Sequence, residues 1–121
     1  MLPTVPTDSG RAAEAYRSGL WTSGTLADSL RDAAQAAPGR EILVDGPVRL
    51  DCRSLHDRSA ALAAAMLARI PVGSVVSFML PNWHEAAIVY HAATLAGMVV
   101  NPILPSLRDH ELGFILTDAD V

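Results

Sequence analysis

The chain has 121 residues, half of them hydrophobic, enough for one domain, or part of one, with a core of modest size. Its formal net charge is −4 and its acidic residues run from Asp8 to Asp120, which excludes a basic surface for nucleic acid or anionic membrane. All nine basic residues are arginine, from Arg11 to Arg108, and the single cysteine, Cys52, has no partner for an internal disulfide, so a cytoplasmic location is the default expectation.

Met1 to Gly10 contains no basic residue followed by an apolar run, so no secretory signal is expected. Residues 1–22 hold Pro3, Pro6, Gly10 and Gly19 and predict an extended leader with one helical turn near Arg11 to Arg17, its Tyr16 and Trp21 packing on the body. Residues 23–121 form the second division. There Thr25 is placed to cap a helix carrying Asp28 in its first turn and Leu26, Leu30, Ala33 and Ala37 at helical spacing, and Pro38-Gly39 ends it. Ile42 to Val44 and Val48 to Leu50, separated by Asp45-Gly46-Pro47, predict a small hairpin.

Asp51 then caps a second helix running to Ile70, with Leu55, Leu62, Met66 and Ile70 on one stripe. After Pro71-Val72-Gly73, the run from Val75 to Leu80 is a strand apolar enough to be covered on both faces. Pro81-Asn82 turns into a third helix in which Asn82 and Glu85 have capping-box spacing and which is apolar nearly all round to Ala96. The stretch from Ala86 to Leu104 is long enough to suggest a membrane span, but Gly97 and Asn101-Pro102 divide it into a helix and the strand Met98 to Val100. A fourth helix presents Leu112, Ile115 and Leu116 on one face. Strand, helix, strand, helix predicts an α/β fold: a parallel-sheet βαβα unit with right-handed crossovers, preceded by the hairpin and open beyond Val121.

Chemical motifs are sparse. Thr22-Ser23-Gly24-Thr25 has one glycine, no lysine and no preceding strand, so it reads as a turn feeding the cap at Thr25 rather than a phosphate loop. The turn after Leu80 places Pro81, Asn82 and Trp83 where a dinucleotide fingerprint needs glycines, which leaves Asn82 as a cap. His84-Glu85 starts like a zinc-protease motif, but Ile88 stands four residues on and the next histidine is His91, so both histidines are expected at layer boundaries, bonded to backbone or water. His56 beside Asp57, and His110 between Asp109 and Glu111, read as solvated helix faces.

The run from Val72 to Glu85, with Leu80-Pro81-Asn82 closing its strand, resembles the N-terminal subdomain of the adenylate-forming (AMP-dependent) acyl-CoA synthetase/ligase superfamily. Leu95 to Pro102 is similar to that family's helix closing on Ala-Gly and strand ending on Asn-Pro, and Glu111 to Ala119 to its next helix, all in matching order. Gly19-Leu20-Trp21 and Asn101 to Pro105 resemble the medium-chain, cyclohexanecarboxylate and dihydroxybenzoate ligases in particular. The likeness runs from about Tyr16 to Val121. At Leu50-Asp51-Cys52-Arg53-Ser54-Leu55 the chain departs from it: Asp51 keeps the cap, but Ser54 replaces the glutamate that would return the bond, at a cost of a few tenths to about 1 kcal/mol.

The resemblance implies a ligase of fatty acid metabolism or its aromatic counterparts, which joins a carboxylic acid to ATP, releasing pyrophosphate, and lets a thiol, usually that of coenzyme A, displace AMP. ATP, Mg and coenzyme A are thus implied for a full-length relative and none for this chain. The family's phosphate loop, metal-binding glutamate and two catalytic lysines lie beyond these residues, and no lysine is present to stand in for them. No catalytic, cofactor-binding or metal-binding residue carries over; Leu80 to Trp83 and Gly97 to Pro102 match as scaffold. A truncated ligase, whose partner is the remainder of the enzyme or a second copy at the open sheet edge, is the first expectation. A stand-alone α/β interaction module without activity is the alternative, and a small nucleotide-binding enzyme, supported only by Thr22 to Thr25, is the third.

Overall fold

The computed structural model describes residues 8–119 and 121; the extended start expected over residues 1–7 lies outside them. Asp8 accepts hydrogen bonds from the N–H groups of Gly10 (2.9 Å) and Arg11 (3.1 Å), which opens helix α1, Ser9–Arg17. This is more than the single turn expected, because a side-chain cap is joined to the strong helix formers Ala12 to Ala15. Tyr16 and Trp21 do not pack on the body: about half exposed, they meet each other edge to face at 5.6 Å.

Thr25 caps α2, Leu26–Ala36, through a reciprocal box: its hydroxyl accepts the Asp28 N–H at 3.2 Å, and the Asp28 carboxylate accepts the Thr25 N–H at 2.9 Å. That N–H first, then the Thr25 hydroxyl and Arg31, hold the Asp28 carboxyl below its usual range. The hairpin follows as antiparallel β1, Glu41–Asp45, and β2, Val48–Asp51, with Asp45 opposite Val48 across the turn. Alternation turns Ile42 and Val44 outward, while Leu43, Val48 and Leu50 pack toward Leu30 and Leu55.

Asp51 caps α3, Cys52–Leu67, accepting the Ser54 N–H at 2.7 Å. The buried stripe of this helix is Cys52, Leu55, Ser59 and Ala63. The expected larger stripe is only partly realised: Leu62 and Met66 are half-buried, and Ile70 lies exposed past the helix end. Small side chains win these positions because α4, His84–Leu95, lies against α3, with Ala92 and Ala93 wholly shielded beside Ala63 and Ala96.

Strands β3, Val75–Phe78, and β4, Val99–Pro102, pair in parallel, with Val75 opposite Val99 and Phe78 opposite Pro102, and α4 connects them. As expected, the hairpin stands outside this ladder, and among the described residues the two form separate two-stranded sheets. Val76 and Val100 pack onto the α3–α4 core. The other face is less covered than the sequence suggests: Val99 is 39% exposed, and beside it Asn101 Nδ2 donates to Ser77 Oγ at 2.9 Å. The last helix, α5 (Asp109–Asp118), half-buries Leu112, Ile115 and Leu116 and leaves Phe114 exposed.

Gly97 ends α4 in the left-handed region at φ +67°, its N–H bonded to the Thr94 carbonyl, and a Cβ there would stand 3.1 Å from Val72 Cγ1. Gly97→Ala is therefore expected to destabilise the fold by about 1–2 kcal/mol from backbone strain, with the Val72 contact adding to it. Gly39→Ala, where nothing lies within 4 Å, serves as the control. Urea melts of the two variants against the parent check this.

Candidate functional site

Two arrangements on α4 bring polar chemistry together. The first is a crevice at the carboxyl ends of β3 and β4, about 820 Å³ in volume. Phe78, Leu80 and Pro81 line it from the β3 side, Pro102, Ile103 and Pro105 from the β4 side, and Ala86, Ala87, Tyr90 and His91 from α4. This geometry follows from the parallel crossover: both strands end on the same side, α4 starts there, and the two turns leave a gap between them.

Four lining residues carry polar groups: Asn82 and Ser106 stand exposed, and Tyr90 and His91 are half-buried in the α4 wall. The His91 ring meets Tyr90 nearly edge-on, with centroids 5.8 Å apart, and its Nδ1 is shielded from solvent without a hydrogen-bond partner among the described residues. Burial disfavours the imidazolium and lowers the His91 pKa from its usual value, so the ring is neutral at pH 7. Nδ1 makes no hydrogen bond to the described backbone.

The second arrangement sits at the start of α4. The expected cap, Asn82, is exposed; Trp83 occupies the N-cap position and makes no side-chain bond to the helix. Asp45, at the end of β1 and 39 residues away, takes over: its Oδ2 accepts the His84 N–H at 2.9 Å and lies 2.8 Å from His84 Nδ1. A carboxylate suits this place, where orphan N–H groups and the positive end of the helix dipole meet. Glu85 Oε2 lies 3.1 Å from the same Nδ1, so Asp45, His84 and Glu85 bring three potential metal ligands within 4.8 Å of one another. The sequence had paired neither His84 nor Glu85 with Asp45. His84 and His91, seven residues apart, are separated by about 10 Å of helix rise and do not converge on a metal.

Thr22 to Thr25 feeds the α2 cap, as expected. His110 is exposed, and His56 is half-buried with Nδ1 3.1 Å from the exposed Asp57. The crevice does not fit a nucleotide phosphate: Pro81, Pro102 and Pro105 remove the N–H groups that a nest needs, and among the described residues neither arginine nor carboxylate lines it to hold phosphate or its metal.

Residues 30–121 match the AMP-binding enzyme family. The chain belongs to that family. It is 36% identical over 118 residues to the medium-chain fatty-acid–CoA ligase of Escherichia coli (strain K12), a match covering 96% of this chain and 21% of that protein. It is 32% identical over 112 residues to a salicylyl-CoA synthase/salicylate adenylyltransferase of a Streptomyces species, covering 91% of this chain and 20% of the relative. The N-terminal subdomain of NpsA from Klebsiella oxytoca has the same fold, with a TM-score of 0.75 at 23% identity over 79% of this chain and 26% of that one. The chain thus spans about a fifth of the length of the curated relatives it matches. The strand expected over Val75 to Leu80 ends at Phe78, short of Pro81, which takes away a backbone N–H, and the strand expected over Met98 to Val100 runs from Val99 to Pro102, opposite Val75 to Phe78.

The His84 ring first, then the His84 N–H, hold the Asp45 carboxyl below its usual value of 3.8. A depressed native pKa means that Asp45 stabilises the fold above the unfolded value and that this contribution is lost as pH falls through the native one. Asp45→Ala is expected to lower Tm at pH 7 by a few degrees, in line with the loss of a helix cap, and to reduce the loss of stability below about pH 4. Thermal melts from pH 2.5 to 8 check both effects.

Proposed function

We propose that this chain is the N-terminal scaffold of an AMP-forming acid–CoA ligase acting on a medium-chain or aromatic carboxylic acid, and that the adenylation residues lie outside it. The observation carrying this reading is the family match over residues 30–121 combined with the chain's share, about a fifth, of its ligase relatives. Adenylation needs positive charge at the α-phosphate as the acid's oxygen attacks and pyrophosphate leaves, and this chain has no lysine to supply it. The role of these residues is to hold sheet and helices in register for the rest of the enzyme.

The partner in this reading is the remainder of a ligase, and in its absence a second copy. Among the described residues β3 and β4 pair only with each other, and Leu104 and Phe114 are 67% and 70% exposed. Unpaired strand edges beside apolar surface favour association. Those same edges support the alternative, an interaction module whose partner completes the sheet.

Two measurements test the proposal. With octanoate, benzoate and salicylate, ATP–pyrophosphate exchange by the 121-residue chain is expected to stay at background, since loss of each charge-stabilising group costs a few kcal/mol; exchange above background overturns it. In size-exclusion chromatography with light scattering, concentration-dependent association is expected. A monodisperse monomer with a cooperative, ordinary urea transition would favour the self-sufficient module.

A further inference from the structure

We propose that the crevice at the carboxyl ends of β3 and β4 binds a small uncharged molecule with an apolar body and a carbonyl oxygen, and that His91 Nε2–H donates a hydrogen bond to that oxygen. The inference does not depend on the ligase reading.

The position is the one at which open parallel sheets take ligands, outside the carboxyl ends of adjacent strands, and about 820 Å³ is within the range of small-molecule sites. The walls choose the body of the ligand. Phe78, Leu80, Tyr90, Pro102 and Ile103 present rings and aliphatic carbon, Asn82 and Ser106 stand exposed beside them, and among the described residues no arginine, aspartate or glutamate joins the lining. A carboxylate or ammonium placed there would lose its hydration without gaining a counter-charge, so the ligand is neutral.

His91 chooses the polar group. Nδ1 is shielded and has no partner among the described residues, whereas His91 as a whole is only half-buried and lines the crevice. A proton on Nδ1 would be a buried N–H with no acceptor, a rarer and costlier state than a lone pair without a donor. The neutral ring therefore carries its proton on Nε2, and the crevice offers a donor. The complement of a donor on an apolar wall is an acceptor that brings no charge, which is the carbonyl oxygen of an ester, amide, ketone or thioester.

The test titrates the 121-residue chain at pH 8 with three probes of one shape: methyl benzoate, toluene and benzoate, followed by long-range proton–nitrogen NMR of the imidazoles. Methyl benzoate is expected to bind saturably and to shift the Nε2 resonance of His91. It should bind roughly threefold to tenfold more tightly than toluene, the contribution of one hydrogen bond, and about tenfold or more tightly than benzoate. In His91→Phe the advantage of methyl benzoate over toluene should vanish while toluene still binds. Equal affinities for the three probes, tighter binding of benzoate, an unmoved Nε2 resonance or no saturable binding would each overturn the proposal. If His91→Phe fails to fold by circular dichroism, the ligand series on the parent chain decides alone. Pyrophosphate exchange reports on the ligase reading and this titration on the crevice, so either can fail without the other.

Discussion

Ala92 and Ala93 are completely shielded where α4 lies against α3 at Ala63, and the parallel sheet is laid over that contact through Val76 and Val100. Close approach of two helices requires small side chains at the crossing, and a larger residue there would push α4 away from the strands it connects. The position of α4 in turn fixes the crevice, whose third wall is the Ala86 to His91 segment of the same helix. The side chains with least chemistry of their own thus decide where the polar ones stand.

The hairpin is tied to this body by two different means. Leu43 and Val48 pack with Leu30, Leu50 and Leu55 against Ala87 and Ile88, a contact that has little directionality. Asp45 adds direction, because a carboxylate that accepts both the His84 N–H and a bond from its ring fixes the hairpin turn relative to the first turn of α4. Compensating the helix terminus from a distant strand also frees the Pro81-Asn82 turn from a capping role, and that turn borders the crevice.

The periphery is built differently from the centre. Helices α1 and α5 contain no buried residue, while Trp21, Leu104 and Phe114 remain substantially exposed. Parallel sheets are ordinarily covered on both faces, and here one face is packed while the other carries the Ser77–Asn101 pair and a partly exposed Val99. That asymmetry fits a family in which these residues are a minor share of a much longer polypeptide.

Much of this was legible in the residues themselves. The caps at Thr25 and Asp51, the stops at Pro38-Gly39 and Gly97, the hairpin over Asp45 to Pro47 and the strand–helix–strand order were readable because each depends on backbone bonds or steric limits within about four residues. The family signature was readable for the same reason, being a series of local turns and strand ends in fixed order. The cap of α4 was not. Asn82 and Glu85 have the right spacing, yet Asp45 satisfies the helix from 39 residues away, and local spacing holds no information about a carboxylate delivered by another strand. Nor could periodicity rank Ser59 and Ala63 above Leu62 and Met66 as the buried stripe of α3, or reveal that one nitrogen of His91 is sealed while its ring borders a crevice. The sequence by itself determined the order of the elements and the turns between most of them, because those are short-range demands of the backbone. Which side chains converge was decided only by tertiary packing, since shielding and hydrogen-bond partners at these positions come from segments far away along the chain.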